Sequence, residues 1–396
     1  MAAKKIELII KTEGRPDIAI RLAKVQDMRR MQMLYAEVYG GNYSISLITD
    51  KDKMRRAIEN DDYYWLVADC EGRIIASLVY ALDLEYRISK AFGAVVSQDY
   101  RKMDLAYTMM KLVLDDITHN KKLVDTVYAT TRTANYAPQR LTESLGFIKM
   151  GIFPNTHKVS ENETHCFSAY ITEEALKKRR CRPRLIADVE PFYNLIRKQI
   201  NLDKAVITPV KSLYRENRNR IAPLHLETIT APNFIKNRYK RFKSDGFFAH
   251  NYMPFHEPNL IFITPDQSTE VYLQYNQKDK YSVVIGGVTK EKSAAVALES
   301  IAQKLNEMNM AYIEVILDAY APQLQREAMD ARYIPSAYFP CMKKTGSRRY
   351  DCIVFTRTFE ILDFRNVKIL SLYKSFLREY LKLWRENYIE SAFRND

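Results

Sequence analysis

Hydrophobic and polar positions between residues 94 and 114 change period partway, which marks a strand leading into a helix. Residues 94–96 form a short apolar run, and residues 97–104 are mostly polar. Beyond them, apolar residues recur at intervals of three and four, the spacing of one helix face. These residues are Leu105, Met109, Leu112 and Val113. The pattern therefore predicts a strand, a tight turn and a helix.

The predicted turn has the features of an anion site. The first backbone N–H groups of a helix have no partner within it, and the helix dipole places partial positive charge at the same end. Phosphate binds well at such ends. Arg101 and Lys102 add two mobile cations there.

The same two periods divide the rest of the first half into strands and helices. Predicted strands cover residues 18–23, 63–68, 73–86, 89–96, 123–130, 147–153 and 165–171. Predicted helices cover residues 28–39, 50–58, 105–119 and 136–144. The helix before residue 40 carries a stripe of methionines that we assign to the core.

The second half of the chain repeats the first. Tyr-Ala-Pro-Gln at residues 136–139 recurs at residues 320–323, and a glutamate follows each proline at the same distance, as Glu143 and Glu327. Matches in register over this length indicate an internal repeat. The second copy has Gly-Gly-Val-Thr-Lys-Glu-Lys-Ser at residues 286–293 in place of the basic turn. We therefore expect it to keep the fold without the anion site.

Composition sets the class of protein. The chain has 396 residues, enough for two or three domains. No apolar run approaches about 18 residues, so no membrane-spanning helix is predicted. The five cysteines are scattered without paired spacing, which favours reduced thiols, a cytoplasmic location and no metal site.

The net charge of +13 has two interpretations. A solvated basic surface that attracts an anionic cofactor is the favoured one, and binding of nucleic acid or an anionic membrane is the other. The densest basic run, residues 177–184, lies between the predicted domains, where a charged linker needs no ligand.

Two motifs and the order of elements resemble the GCN5-related N-acetyltransferases (GNAT family). The turn Arg-Lys-Met-Asp-Leu-Ala at residues 101–106 resembles the family's phosphate loop, Gln/Arg-x-x-Gly-x-Gly/Ala. Residues 135–147 resemble a second family motif through Asn135, Leu141, Glu143, Gly146 and Phe147. The resemblance covers residues 18–171 and implies an N-acetyltransferase that uses acetyl-coenzyme A (acetyl-CoA).

The resemblance also implies which residues hold the cofactor. In the family the strand before the loop lies along the pantetheine, the loop grips the pyrophosphate, and an asparagine on the next strand adds a contact. The residues at those positions here are Val95, Val96, Arg101, Lys102, Met103, Asp104, Leu105, Ala106 and Asn135.

Two residues depart from the family pattern. Asp104 stands where the family has glycine, and Thr142 stands where many members have a tyrosine that protonates the departing thiolate. We expect Asp104 to cap the helix, since aspartate is a preferred capping residue. The departures keep an alternative open, in which the protein is a catalytically degenerate binding module whose basic surface takes an acidic partner or nucleic acid.

Acetyl transfer also needs a base for the amine and an acid for the thiolate. Asp83 and Glu85 share one face of the strand predicted over residues 73–86, so either is a candidate base. Tyr136 is a candidate acid in place of Thr142. For each carboxylate, a solvated position beside a turn is the competing explanation.

The predicted architecture is α/β: two tandem GNAT-like domains, each with a mixed, mostly antiparallel sheet flanked by helices. The predicted ranges are 1–175 for the domain with the cofactor loop, 176–205 for a basic linker and first helix, 206–366 for the degenerate domain, and 367–396 for an amphipathic helix. The expected acceptor is a primary amine on a small molecule or a protein, and the expected state is a monomer or homodimer.

Overall fold

The computed structural model describes residues 6–11, 14, 16–41, 45–158, 162–212, 222–242, 254–390 and 393. Residues 391, 392 and 394–396 of the predicted C-terminal helix lie outside this set. The chain divides into two compact units. The first comprises Met1–Thr130, Arg140–Phe147 and Ala169–Ala175, and the second comprises Thr131–Gln139, Ile148–Ser168 and Leu176–Asp396.

The elements of the first half alternate as the sequence predicts. The strands are β1 (Glu7–Ile10), β2 (Ile18–Leu22), β3 (Tyr63–Cys70), β4 (Arg73–Asp83), β5 (Ile88–Val96), β6 (Thr126–Arg132), β7 (Ile148–Lys158) and β8 (Asn162–Ile171). The helices are α1 (Met28–Tyr39), α2 (Ser46–Thr49), α3 (Lys51–Glu59), α4 (Leu105–Asp115), α5 (Ala137–Ser144) and α6 (Glu173–Lys177).

The sheet of the first unit runs in the order β1-β2-β3-β4-β5-β6. Its neighbours from β1 to β5 are antiparallel, whereas β5 and β6 are parallel. A parallel pair needs a crossover connection, and α4 supplies it. This places α4 directly after the strand whose end carries the basic turn.

Each face of this sheet packs against its own helices. Alternate residues of the strands point to opposite faces, so Leu66 packs with Leu105, Met109 and other residues of α4. Trp65 packs on the other face with residues of α1 and α3. The methionine stripe of α1, with Met28 and Met31 buried, is core as predicted.

One predicted strand is shorter than expected. β4 ends at Asp83 rather than at residue 86, because an Asp83 carboxylate oxygen accepts the backbone N–H of Tyr86 at 2.9 Å and closes a turn. Glu85 is exposed in that turn. The prediction that Asp83 and Glu85 share one strand face is therefore wrong.

The second half continues with an equivalent set of elements. The strands are β9 (Arg184–Leu185), β10 (Val206–Ile207), β11 (Glu227–Ile229), β12 (Leu260–Ile263), β13 (Thr269–Asn276), β14 (Tyr281–Thr289), β15 (Tyr312–Asp318), β16 (Ile334–Thr345) and β17 (Arg348–Thr358). The helices are α7 (Glu190–Ile200), α8 (Pro232–Phe242), α9 (Ala294–Glu307), α10 (Pro322–Asp330) and α11 (Ser371–Arg385).

The strand pairing of the second unit repeats that of the first. Its sheet includes the order β7-β16-β17-β15-β14-β13-β12-β11. β12, β13 and β14 are antiparallel neighbours and β14 is parallel to β15, as β3, β4, β5 and β6 are in the first unit. The predicted α/β class, with mixed and mostly antiparallel sheets flanked by helices, is confirmed. Among the described residues, none of the helices combines the length and apolar character needed to cross a membrane.

Candidate active site

The turn between β5 and α4 is anchored at its first residue. The Ser97 hydroxyl is buried and donates a 2.7 Å hydrogen bond to Glu37 of α1, and the Ser97 backbone N–H donates to the Ile75 carbonyl at 2.8 Å. A short 3₁₀ turn over Gln98–Tyr100 follows. Arg101 and Lys102 come next and are exposed. The two cations are therefore carried on a turn whose start is fixed to the sheet.

Two residues of this turn have a left-handed backbone. Lys102 has φ +74° and Asp104 has φ +50°, a conformation that costs a side-chain-bearing residue energy and that glycine adopts freely. Asp104 occupies the position where the family motif has glycine, the residue that adopts this conformation most readily. Asparagine and aspartate tolerate this conformation better than most residues do.

The N-terminus of α4 carries no side-chain cap. Asp104 is the residue before the helix, and its carboxylate makes no capping hydrogen bond. The prediction that Asp104 caps the helix is therefore wrong, because its backbone is left-handed rather than in the extended conformation that a capping residue typically adopts. Its side chain is exposed instead. The N–H groups of Leu105, Ala106 and Tyr107 are the first three of the helix, which have no intrahelical acceptor. An anion at this helix end would accept from these N–H groups. Met103, next to Asp104, is half-buried.

The strand leading to this turn has an unpaired edge. Within the first unit, β5 and β6 pair in parallel register from Ile88 with Thr126 to Ala91 with Ala129 and no further. β5 nevertheless continues to Val96. On the side of β5 that faces β6, the backbone groups of residues 92–96, which include Val95 and Val96, are therefore not paired with β6. An extended chain of amides, such as pantetheine, has the hydrogen-bonding groups to fill such an edge.

A bulge at Gly93 bends β5 where the pairing stops. The register between β4 and β5 shifts between Ser77 and Val79, and Gly93 has φ +65°. The Tyr35 hydroxyl donates a 2.6 Å hydrogen bond to the Gly93 carbonyl. A Cβ atom at this glycine would lie 3.2 Å from the same hydroxyl. The sequence analysis missed this feature, although an isolated glycine within a strand is a recognised signal for a bulge.

The two candidate bases lie far from the basic turn. Asp83 pairs with Ile88 at the first residue of β5, whereas the turn follows the last one. The pairing of β5 with β6 ends at Ala91, which is three residues after Ile88 and about 10 Å farther along the strand. Asp83 is half-buried and Glu85 is exposed. Neither carboxylate therefore directly adjoins the point where the strands part.

The remaining predicted residues belong to the second unit. The Asn135 side-chain oxygen accepts the Ala137 backbone N–H at 2.9 Å, so it caps α5. Tyr136 is 38% exposed at the start of that helix. The structure therefore groups Val95, Val96 and residues 101–106 in one unit and places Asn135 and Tyr136 in the other. Thr142, in the first unit, is buried.

The equivalent helix end of the second copy is filled by its own side chains. The Ser293 hydroxyl caps α9 by accepting the Ala295 N–H at 3.2 Å. A carboxylate oxygen of Glu327 accepts the Ala294 N–H at 3.0 Å in a buried setting. Glu143, the repeat counterpart of Glu327, is exposed instead. The second copy therefore uses its own oxygens at the helix end that the first copy leaves open.

A charged cluster at the end of β6 in the second unit was also missed from sequence. Arg132 donates from Nε to Glu163 at 2.8 Å, and His165 lies 3.8 Å from the same carboxylate. Burial alone would raise the pKa of Glu163, but the nearby His165 and the hydrogen-bonded Arg132 outweigh it and lower the pKa to about 2. Glu163 is thus ionised at neutral pH. Among the described residues, no group of acidic, histidine and cysteine side chains could hold a metal ion.

Comparison with known proteins agrees with the site geometry. Residues 28–147 match the model of the acetyltransferase (GNAT) family. No curated protein sequence matches the chain. Similar solved structures include the ribosomal-protein-S5-alanine acetyltransferase from Vibrio fischeri, with 14% identity over 42% of this chain and 97% of that one and a TM-score of 0.35.

Two further solved structures are similar over a comparable length. A ribosomal L7/L12 α-N-protein acetyltransferase in complex with coenzyme A has 11% identity, covers 42% of this chain and 99% of its own, and has a TM-score of 0.35. A spermidine N-acetyltransferase from Vibrio cholerae has 13% identity, covers 40% and 95%, and has a TM-score of 0.35. The family assignment rests on the sequence match alone: residues 28–147 are a domain of the acetyltransferase (GNAT) family, which makes the protein an acyltransferase.

Proposed function

We propose that the protein transfers the acetyl group of acetyl-CoA to a primary amine by direct attack in a ternary complex. The observation that carries the proposal is the continuity of the unpaired β5 edge with the uncapped N-terminus of α4. Acetyl-CoA has an extended amide chain followed by a pyrophosphate. The strand edge and the helix N-terminus follow one another along the protein chain in the same order.

The phosphate end of the cofactor is assigned to residues 101–106. The N–H groups of Leu105 and Ala106 donate to the pyrophosphate, and the exposed side chains of Arg101 and Lys102 supply the neutralising charge. Asp104 places a negative charge near the same anion. It weakens binding relative to glycine without blocking the helix amides, because its carboxylate does not occupy them.

The pantetheine is assigned to the edge of β5 beside Val95 and Val96. There its amides replace the missing strand partner, which sets the thioester near the bulge at Gly93. The bulge fixes where the strand bends, so it also fixes how far the cofactor enters. Positioning of this kind lowers the barrier by holding the reacting atoms in place. Asn135 remains a proposed cofactor contact through its side-chain N–H₂ group, since its oxygen caps α5.

Proton transfer is assigned to Asp83 or Glu85 acting through water. An amine must lose a proton to become a nucleophile, and each carboxylate stands too far along the sheet for direct contact with the thioester end. A water-linked base also works, because a chain of water molecules can carry the proton from the amine to the carboxylate. Tyr136 is the proposed acid for the departing thiolate.

We further propose that the second half is a degenerate copy that does not bind coenzyme A. Ser293 and Glu327 occupy the helix end that would receive the pyrophosphate. The proposed domain plan is the one given by the sequence repeat, with ranges 1–175, 176–205, 206–366 and 367–396. A cytoplasmic location is proposed with it, supported by the scattered cysteines, which form no disulfide bond within the described part of the chain.

The experiment that tests the function is a thiol-release assay with acetyl-CoA and a panel of primary amines, including polyamines, amino acids and peptides with free N-termini. We expect release that depends on at least one amine. Asp83→Asn keeps an oxygen for the Tyr86 N–H and removes the carboxylate. This substitution should lower kcat at pH 7. The activity of the variant should recover at pH 9–10, where more of the amine is already neutral. Release that is independent of every amine would contradict the proposal.

A further inference from the structure

Positive charge is concentrated in one part of the second half. Residues 204–243 contain ten lysines and arginines and two glutamates. Their net charge of +8 is more than half of the chain's net charge of +13. This stretch lies outside the cofactor turn and has no part in the proposed acetyl transfer. Helix α8, which contains no acidic residue, is its longest described element.

Helix α8 has one buried face and one polar, cationic face. Ile235 is fully buried, and Tyr239 packs against Tyr272 with ring centroids 5.1 Å apart. At 3.6 residues per turn, Lys240 and Arg241 fall on the opposite side of the helix, and both are exposed. Phe234, 47% exposed, lies at the edge of this outer face.

Helix α11 is built in the same way. Its buried side chains are Tyr373, Phe376, Tyr380 and Leu383. Lys374, Arg378, Lys382 and Arg385 project from the opposite third of the helix and are exposed. They form a row about 16 Å long at 1.5 Å per residue. Among the described residues, Lys374, Arg378 and Lys382 have no ion pair, and neither do Lys240 and Arg241 of α8, whereas Arg385 pairs with Glu390 at 3.0 Å.

The two helices cover the same face of the second unit's sheet. The register of β13, β14, β15 and β17 places one row of side chains on a single face. The row runs across the sheet from Gln274 of β13 through Val283 of β14 and Glu314 of β15 to Thr356 of β17. Tyr272 lies two residues before Gln274 on β13 and therefore points to the same face. Tyr272 contacts α8 through Tyr239, and the Tyr380 hydroxyl of α11 is hydrogen-bonded to Thr356. The strands β13 and β17 are three spacings apart, about 14 Å.

We propose that this basic face, comprising Lys240, Arg241, Lys374, Arg378, Lys382 and Arg385, binds single-stranded nucleic acid. Cations on two helices of one face, five of them without an ion pair among the described residues, suit a flexible polyanion that crosses from one helix to the other. Phe234 offers a flat ring beside Arg238, whose guanidinium lies 5.8 Å from the ring centroid, and bases stack on such aromatic side chains.

The chemistry of the face is less suited to the other polyanionic partners. A membrane helix needs an exposed apolar face, but α8 turns Ile235 and Tyr239 into the core. A protein interface needs an apolar centre that excludes water. On the outer face of α8, Phe234 is the one exposed aromatic ring among the side chains that the structure describes. Asn233 and Asn237 lie exposed beside it and carry amide groups that can bond to base edges.

The test is binding of a fluorescein-labelled 20-nucleotide single-stranded RNA of mixed sequence to the full chain, followed by fluorescence anisotropy. The logarithm of affinity should fall with the logarithm of salt concentration with a slope of about −3 to −4, as five or so phosphate contacts give. Lys240→Glu/Arg241→Glu and Arg378→Glu/Lys382→Glu should each weaken binding at least ten-fold. Phe234→Ala should weaken it at least about five-fold through lost stacking.

The matched control is Arg55→Glu/Arg56→Glu on α3 of the first unit, which changes the net charge equally at exposed positions. We expect it to change affinity less than two-fold. An equal loss in the control, an unchanged affinity in either helix variant, or equally tight binding of a polyglutamate peptide or of phosphatidylserine vesicles would overturn the proposal. Melting temperatures of all variants check that each is folded. The acetyl-transfer proposal stands or falls separately, since none of these residues belongs to it.

Discussion

The Tyr35 hydroxyl donates a hydrogen bond to the Gly93 carbonyl and so ties helix α1 to the bulge in β5. The ring is buried, and burial raises the pKa of Tyr35, which keeps the hydroxyl protonated as a donor. The same hydroxyl lies 3.2 Å from the Ser77 hydroxyl, which accepts the indole N–H of Trp65 at 2.9 Å. The bend that opens the β5 edge is therefore held by a buried polar group of four residues.

Tyr35→Phe should loosen this bend. It leaves the Gly93 carbonyl without its donor, which costs about 1–3 kcal/mol of unfolding free energy, and it should weaken coenzyme A binding several-fold by shifting the strand edge. Tyr80→Phe is the matched control, because Tyr80 is also buried and its hydroxyl donates to the Met110 carbonyl at 3.1 Å. Thermal melts and calorimetric titrations measure both effects. If the two variants lose the same stability and the same affinity, the bulge has no special part in binding.

Asp104→Gly should tighten coenzyme A binding. The change removes a negative charge near the phosphates, worth about 1 kcal/mol or five-fold in a partly solvated setting, and it supplies the residue best suited to φ +50°. Stability should stay equal or rise, since no cap is lost.

Asp104→Asn separates the two effects, because it keeps the tolerated backbone and removes only the charge. Asp99→Asn, at an exposed position in the preceding turn, controls for charge removal at a distance from the helix amides. A loss of several degrees in melting temperature for Asp104→Gly would contradict the uncapped helix end.

The elements and the anion turn could be predicted from sequence because their signals are local. The spacing from Leu105 to Val113 is enough to place α4. The carboxylates at Asp83 and Glu85 were misplaced because a strand pattern does not show where a side chain turns back on the backbone. The role of Tyr35 could not be predicted either, since its partner Gly93 lies 58 residues away and contacts of that kind depend on the tertiary fold.

Glu327→Ala should destabilise the protein without changing the number of cofactor sites. Its carboxylate accepts the buried Ala294 N–H and also accepts from the exposed Gln323 side chain at 2.9 Å. Its loss leaves the Ala294 N–H unpaired, which costs about 1–3 kcal/mol of unfolding free energy. Glu143→Ala, at the matching position of the first repeat, changes an exposed residue and should cost less than Glu327→Ala. Equal melting temperatures for the two variants would contradict the assignment of Glu327 as the internal occupant of α9.

Stability should fall in acid partly through Glu163. Its pKa is lowered in the folded state, so it stabilises the fold fully above its unfolded value near 4.5, and this contribution is lost as the pH falls toward about 2. The melting-temperature difference between wild type and Glu163→Gln should therefore be largest above pH 5 and shrink between pH 5 and pH 2. Glu59→Gln, an exposed carboxylate on α3, serves as the control. A difference for Glu163→Gln that stays constant with pH would argue against an ionised, hydrogen-bonded carboxylate.

The most direct test of the account is calorimetric titration of the full chain with coenzyme A, for wild type and Arg101→Ala. The account predicts one site per chain, because α4 is open and α9 is filled. It also predicts that Arg101→Ala binds about 1–3 kcal/mol more weakly, as expected for loss of a hydrogen bond to a charged group. A stoichiometry of two, an absence of binding, or an unchanged affinity in Arg101→Ala would contradict the assignment of the cofactor site to the turn between β5 and α4.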